Sequence, residues 1–432
     1  MFVSDCLNLN ENGHLTIGGA DTVVLAKQYG TPLYVLDEQQ IRFHCRSFRQ
    51  SIERYYDGKG LVAFASKAFC CKRICQIVKE EGLGLDVVSG GEIYTALSTG
   101  MEPEKMFFHG NNKTIEELSM AVEHRIGTVV VDNLTELTLL NEIAKSAGAT
   151  VSVLLRIKPG IDAHTHNFIR TGQIDSKFGF ALETGEAMEA VKAAEEMSHI
   201  YLKGLHCHIG SQIFDISPFE MAAQVMMNLL LQVKETVGRE LEILNLGGGF
   251  GIQYVEEHDP KPYSEFMERV SKTVRSFCEK HQMNQPFIVI EPGRSIVGPA
   301  GITLYHVGGI KKIPGIRTYV SVDGGMTDNP RYALYQSEYE AVIANKASHP
   351  KTVAVTIAGK CCESGDLLGE DIPLQEPEIG DVLAVFSTGA YNYSMSSHYN
   401  RIPKPAVVMV SNGESYLAVR RETYEDLIRC DL

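Results

Sequence analysis

Leu61-Val-Ala-Phe-Ala-Ser66-Lys67 is the stretch on which the reading of this chain turns. Its first five residues are apolar, and a single lysine follows at the edge. A short apolar run carrying Val and Phe reads as a fully buried strand. A strand ending on one lysine presents an amine beyond its carboxyl end. Taken alone, Lys67 reads equally well as a surface lysine that begins a loop, so the surrounding pattern has to decide.

Working outward, strand-type runs alternate with helix-type runs at regular spacing. Strands are predicted at Leu61–Ser66, Gly84–Val88, Lys105–His109, Thr128–Val131, Thr150–Ile157, Leu202–His208, Glu242–Leu246 and Pro286–Ile290. Amphipathic helices are predicted between them near 70–81, 91–99, 114–124, 134–147, 183–197, 217–237 and 262–282. Alternating βα units imply parallel strands joined by right-handed crossovers. Eight of them predict an α/β fold of the closed (β/α)8, TIM-type kind, the helix at 38–56 filling the eighth slot. A doubly wound open sheet is the alternative.

After Gly298 the rhythm changes. Val/Ile/Thr-rich runs punctuated by Gly, Pro and Asn recur at Ile302–Val307, Arg317–Val322, Thr352–Ile357, Val382–Ser387, Ala406–Val410 and Tyr416–Val419. They predict a C-terminal antiparallel β-barrel or sandwich domain. The strand-like Pro32–Leu36 is expected to join it. The domain reading is therefore 38–297 for the barrel, with 1–37 and 298–432 forming the β domain.

The chain has 432 residues, 44% of them hydrophobic and 22% charged, with a net charge of −14. That balance describes a globular protein and argues against nucleic acid as the main partner. No apolar run is long enough for a transmembrane helix, and the start lacks a signal-peptide layout. The ten cysteines are expected as reduced thiols in a cytoplasmic protein. The pairs Cys70-Cys71 and Cys361-Cys362 lack the spacing of a zinc site, so no metal is expected.

The unusual residues fall at strand ends. Lys67 follows the first strand and Asp86 lies in the second. His109 follows the third, Arg156 lies near the end of the fifth, and His206-Cys-His208-Ile-Gly-Ser211 ends the sixth. Gly247-Gly248-Gly249 follows the seventh and Glu291-Pro-Gly293-Arg294 the eighth. The carboxyl face is where barrel enzymes assemble their sites. The glycine run, with Gly293, would let backbone N–H groups approach an anion closely. A phosphate pocket plus one lysine suggests pyridoxal 5'-phosphate held as a Schiff base. Glu291 would then partner the pyridine nitrogen, His208 would stack on the ring, and Ser211 would help the phosphate. Each has a bland reading too; for Glu291 it is a salt bridge to a neighbouring arginine.

Together with Asp328-Asn-Pro-Arg331-Tyr-Ala-Leu-Tyr335, Cys362-Glu363-Ser-Gly-Asp366 and Gly389-Ala-Tyr391, these motifs resemble the fold-type III pyridoxal phosphate-dependent decarboxylases over essentially the whole chain. The resemblance implies the alanine racemase-like fold and a set of roles. Lys67 carries the cofactor, His208 stacks on it and Glu291 meets its ring nitrogen. Asp86 and Tyr391 lie close to it. Gly247, Gly248, Gly249, Gly293 and Arg294 surround its phosphate. Arg294, Arg331 and Tyr335 grip the distal carboxylate of an amino-acid substrate, Glu363 its distal ammonium, and Tyr391 lies near it. Cys362 is the general acid. The Cys-Glu loop comes from a partner subunit, so a homodimer sharing its active sites is expected.

An arginine presents a planar fork matched to a carboxylate. Two arginines and one acid suit a far end carrying both a carboxylate and an ammonium, as in meso-2,6-diaminopimelate, which would yield L-lysine and carbon dioxide. Ornithine or lysine offers only an ammonium there. A decarboxylase of a related amino acid, a racemase and a non-catalytic relative are the other readings; Glu291 speaks against the racemase and intact Lys67, Glu291 and Cys362 against the last. The tail Tyr399-Asn-Arg-Ile-Pro403-Lys-Pro405 departs slightly from the family pattern and is expected to lie outside the contact set.

Overall fold

The computed structural model describes residues 2–161 and 176–432. The chain divides into two compact units: His44–Gly251 with Pro260–Gly293, and Met1–Phe43 with Ile252–Asp259 and Arg294–Leu432.

The first unit is a closed parallel barrel of eight strands. In order they are Gly60–Ala65, Gly84–Val87, Met106–Phe108, Thr128–Val131, Val151–Lys158, Ile200–Cys207, Ile243–Asn245 and Phe287–Ile290. The eighth pairs with the first, Val289 opposite Leu61, which closes the ring. All seven predicted helices form, at Lys72–Glu80, Gly90–Leu97, Ile115–Glu123, Leu134–Ser146, Glu186–Glu196, Ser217–Val237 and Tyr263–His281. Their starts follow capping chemistry: Thr114 and Glu117 form a reciprocal capping box, and Asn133 caps Glu136 N–H.

The helix Glu38–Tyr56 takes the place of an eighth helix. Its Phe48 stacks on Tyr263 at 4.1 Å, on the helix after the seventh strand. Its Arg46 forks onto Glu81 at 2.7 and 2.8 Å, at the end of the helix after the first. It thus sits between the two helices that flank the closure.

Inside the barrel, Ala63, Phe107, Val130, Leu154, Ile243 and Val289 form one buried layer. Strand side chains alternate faces, so the next inward positions along these strands are Ala65, His109, Arg156, Asn245 and Glu291. The polar residues therefore stand directly above an apolar floor.

The second unit is built on a mixed nine-stranded sheet. Leu33–Asp37 lies between Gly301–Ile313, antiparallel to it, and Ala406–Ser411, parallel to it. The expected joining of the N-terminal strand occurs in this way. Arg317–Val322 and Val353–Ala358 also pair in parallel, and the remaining pairings in this sheet are antiparallel. Leu367–Leu374 and Ala341–Ile343 are strands with no sequence counterpart above, as is the small N-terminal sheet of Leu7–Leu9, Leu15–Ile17 and Ala20–Asp21. Two apolar clusters fill this unit, one around Leu33, Leu304 and Phe386, the other around Tyr305, Val320 and Leu383. Among the described residues no helix is long and apolar enough to cross a membrane.

Leu154 is fully buried in the barrel layer. Leu154→Ala is expected to lower the unfolding free energy by about 2–5 kcal/mol, read from the midpoint of chemical denaturation at unchanged slope.

Candidate active site

Lys67 leaves the first strand on a single tight turn, Ser66–Ala68, and its Nζ lies 2.8 Å from Asp86 Oδ2. Asp86 is fully buried whereas the lysine side chain is 41% exposed, so the ammonium is pinned at its base yet reachable. Gly293 packs beside this turn, where a Cβ would meet Ala65 and Ala68 at about 3.0 Å. Its lack of a side chain is required by packing on the lysine turn. Glu92 braces the same turn from below, accepting from Ser66 Oγ and Val88 N at 2.7 Å each.

Glu291 is a buried carboxylate at the end of the eighth strand. His109 Nε2 lies 2.7 Å from its Oε1, Asn245 Nδ2 donates to the same oxygen at 2.6 Å, and His206 Nε2 is 3.3 Å from Oε2. The expectation of an arginine salt bridge as the alternative partner is thereby corrected: the partners are two imidazoles and an amide. Burial would raise the carboxyl, but the two rings outweigh it and hold Glu291 well below the usual carboxylate range. Burial also pushes His206 down to about 4 against the pull of Glu291. His109, His206 and Glu291 offer ligand-type atoms within 4.8 Å of one another. Asn245 also donates to the Glu291 oxygen that His109 reaches.

His208 is half-buried beside the glycine turn. Burial first, then the Lys67 and Arg156 cations, hold its imidazole well below 6.5. Its Nδ1 accepts from Gly248 N at 3.3 Å, so the neutral ring carries its proton on Nε2. Ser211 is half-buried just after the sixth strand.

The glycine run differs from its sequence reading. Gly247 has φ 68° and a Cβ there would strike the Cys207 carbonyl and the His208 ring; at Gly248 it would overlap the Glu291 carbonyl oxygen. Gly247 N–H donates to Asn245 Oδ1 at 2.9 Å. The first two amides are thus engaged within the barrel, the second through a long bond, and the glycines are demanded by close packing as well.

The second unit brings together Arg294, Arg331, Tyr335 and Tyr391. The Arg294 guanidinium lies 4.8 Å from the Tyr391 ring, and Arg331 lies 5.7 Å from it and 5.4 Å from Tyr335. Arg294 Nη1 donates to Tyr254 Oη at 2.6 Å. Both arginines are buried, and Arg331 Nε and Tyr339 Oη have no hydrogen-bond partner among the described residues. Tyr391 takes a left-handed φ of 63°, a strained backbone setting of the kind that collects at functional sites.

Cys362 and Glu363 stand apart from that group on an exposed loop. Buried Asp366 ties the loop down, accepting from Met326 N at 2.6 Å and Cys361 N at 2.7 Å. Burial pushes the neighbouring Cys361 thiol up to about 12. The tail at 399–405 adjoins this loop: Asn400 Oδ1 accepts from Cys362 N at 2.8 Å, and Tyr399 Oη reaches Glu363 Oε2 at 3.5 Å.

Asn245, Tyr254 and Tyr339 escaped the sequence reading, and His109 and His206 were noted there without a role. Asn245 carried a usable signal, since an amide inside an apolar strand needs buried partners.

A closed parallel barrel with a strand-end lysine over a buried, charged carboxylate defines a pyridoxal-dependent decarboxylase. Residues 38–298 match the family described as pyridoxal-dependent decarboxylase, pyridoxal binding domain. The chain is 52% identical to the diaminopimelate decarboxylase of Bacillus subtilis, covering 100% of this chain and 98% of that relative. The structure of the M. jannaschii diaminopimelate decarboxylase in complex with L-lysine superposes with a TM-score of 0.93 at 39% identity, covering 100% and 99% of the two chains. That of the Helicobacter pylori enzyme with L-lysine gives 0.86 at 30% identity, covering 95% and 98%. The chain belongs to the diaminopimelate decarboxylase family.

The donor set fits the cofactor. A carboxylate held ionised in a dry barrel needs a cationic partner, and a protonated pyridine nitrogen is one. Asp86 Oδ1, which has no hydrogen-bond partner among the described residues, is a second polar group in the same barrel.

His206 contributes to stability through its displaced pKa. In the unfolded chain it titrates near 6.5, in the folded chain near 4. The unfolded state takes up the extra proton first, so the contribution is present above 6.5 and lost as pH falls toward 4. His206→Gln is expected to flatten the fall in melting temperature across that window, by about 2–3 kcal/mol of pH-dependent stability. An unchanged slope would assign the acid sensitivity to other groups.

Proposed function

We propose that this chain decarboxylates meso-2,6-diaminopimelate to L-lysine and carbon dioxide, using Lys67 to carry pyridoxal phosphate. When bound, that cofactor supplies an electron sink for the pair left as carbon dioxide departs. Glu291 holds a proton at the ring nitrogen, which deepens the sink. Neutral His208 offers its ring face for stacking, and Asp86 holds the lysine amine in place. Gly247, Gly248, Gly249, Gly293, Arg294 and Ser211 surround the phosphate, and Tyr391 reaches both cofactor and substrate. Cys362 Sγ returns a proton to the substrate carbon.

The observation that carries the substrate is the pair of buried guanidiniums, Arg294 and Arg331, set among tyrosines. Two desolvated cations repel a bare ammonium and accept a carboxylate bidentately. Glu363 takes the distal ammonium, and Tyr335 adds a hydroxyl. The relatives named above support the same substrate.

The exposure of Cys362 and Glu363 supports a homodimer with shared sites. A proton donor acting on a reactive carbon needs shelter from water, and this loop has none among the described residues. The partner subunit's barrel supplies it. Ten free thiols support a reducing, cytoplasmic setting.

Carbon dioxide release with added pyridoxal phosphate is expected from meso-diaminopimelate and not from lysine, ornithine or arginine; release from ornithine alone would overturn the substrate. Lys67→Ala is expected to lose the visible absorbance of bound cofactor. Lys67→Ala and Cys362→Ala should each be nearly inactive, yet mixed and re-associated they should recover about a quarter of wild-type activity through hybrid dimers. No recovery, with hybrids shown to form, would place Cys362 in its own chain's site.

A further inference from the structure

Asn245 sits at the inward end of the seventh strand and is fully buried. Its carboxamide makes two bonds to groups with opposite demands. Gly247 N–H can only donate, so the atom 2.9 Å away must be Oδ1. That leaves Nδ2 facing Glu291 Oε1 at 2.6 Å, where an ionised carboxylate can only accept. The orientation of the amide is fixed by its partners. A second link joins the same two segments, since Glu291 N donates to the Gly247 carbonyl at 2.7 Å.

We propose that Asn245 is a positioning residue that couples the two ends of the cofactor site, holding Glu291 at the ring nitrogen and the Gly247 turn at the phosphate through one carboxamide. The proposal rests on the cofactor placement above. No other side chain of this size meets both demands. Aspartate would set a second carboxylate against Glu291, leucine would leave the Gly247 N–H and one Glu291 lone pair unmet, and glutamine is a methylene too long for a site with no free space. His109 shares Oε1 with Asn245, but it follows the third strand and among the described residues carries no bond to the glycine turn. The coupling therefore runs through Asn245. Both ends of a rigid, flat ligand are set at a fixed separation by one short side chain.

The test titrates full-length wild type, Asn245→Leu, Glu291→Gln and the double variant with pyridoxal phosphate, following the visible absorbance of the bound form. Asn245→Leu is expected to weaken binding about tenfold or more, and at least threefold less than that when Glu291→Gln is already present. With pyridoxal, which lacks the phosphate, the loss from Asn245→Leu should shrink as well. Strictly additive losses, or equal losses for both ligands, would overturn the coupling. Glu291→Gln binding the cofactor as tightly as wild type would instead remove the ring-nitrogen reading itself. Should Asn245→Leu fail to fold, near-isosteric Asn245→Asp carries the test. It keeps an acceptor for Gly247, is expected to bind the cofactor at least fivefold more weakly, and would sink the proposal by binding it normally.

Discussion

A carboxylate kept ionised without water is the constraint on which the barrel depends. Glu291 has almost no solvent contact, and desolvating a lone carboxylate would drive it to its neutral form. Donors reach it from three other strands: His109 from the end of the third, His206 from the sixth and Asn245 from the seventh. None of them could do so if the ring were open or the register slipped by one residue, because a slip turns every side chain to the opposite face. The closure of the barrel and the charge state of its central acid are thus one structural fact seen from two sides.

The glycine turn shows the same economy. A Cβ at Gly248 would collide with the Glu291 carbonyl, and one at Gly247 with Cys207 and His208. The seventh and eighth strands must approach this closely for Asn245 to bridge them. Glycine here serves packing first, and openness to an anion follows from the absence of side chains along the turn. Gly293 repeats the pattern against the turn that carries Lys67.

The βα alternation made the barrel legible, since eight apolar runs of similar length separated by amphipathic helices admit few topologies. The candidate residues were legible because glycine runs, lone charges and histidines at the ends of apolar strands are unusual. The network around Glu291 was not, because its members are residues 109, 206, 245 and 291, and no local pattern links positions so far apart. Asn245 was hidden inside a run read only as a strand. Three-residue strands such as Leu7–Leu9 and Ala341–Ile343 are too short to show any period. That the tail at 399–405 touches the Cys362 loop was hidden for a similar reason, being decided by chain tracing across nearly forty residues.

The two units divide the chemical labour by polarity. The barrel unit gathers the buried carboxylates Glu291 and Asp86, the accessible Lys67 ammonium and the imidazoles of His109, His206 and His208, a set suited to the cationic ring and amine exchange proposed above. The other gathers the guanidiniums of Arg294 and Arg331 against the faces of Tyr254, Tyr335 and Tyr391. A guanidinium packed on aromatic rings stays charged and partly desolvated, so its remaining donors are poised for a planar anion. Arg331 Nε has no hydrogen-bond partner among the described residues, and leaving such a donor unmet in a buried setting is destabilising by about 1–3 kcal/mol. On the substrate assignment proposed above, a ligand carboxylate would relieve that strain and a methylene or ammonium group would not. Discrimination against monocarboxylic diamino acids would then come chiefly from what those ligands leave unsatisfied, which is a stronger filter than added attraction for the ligand that fits.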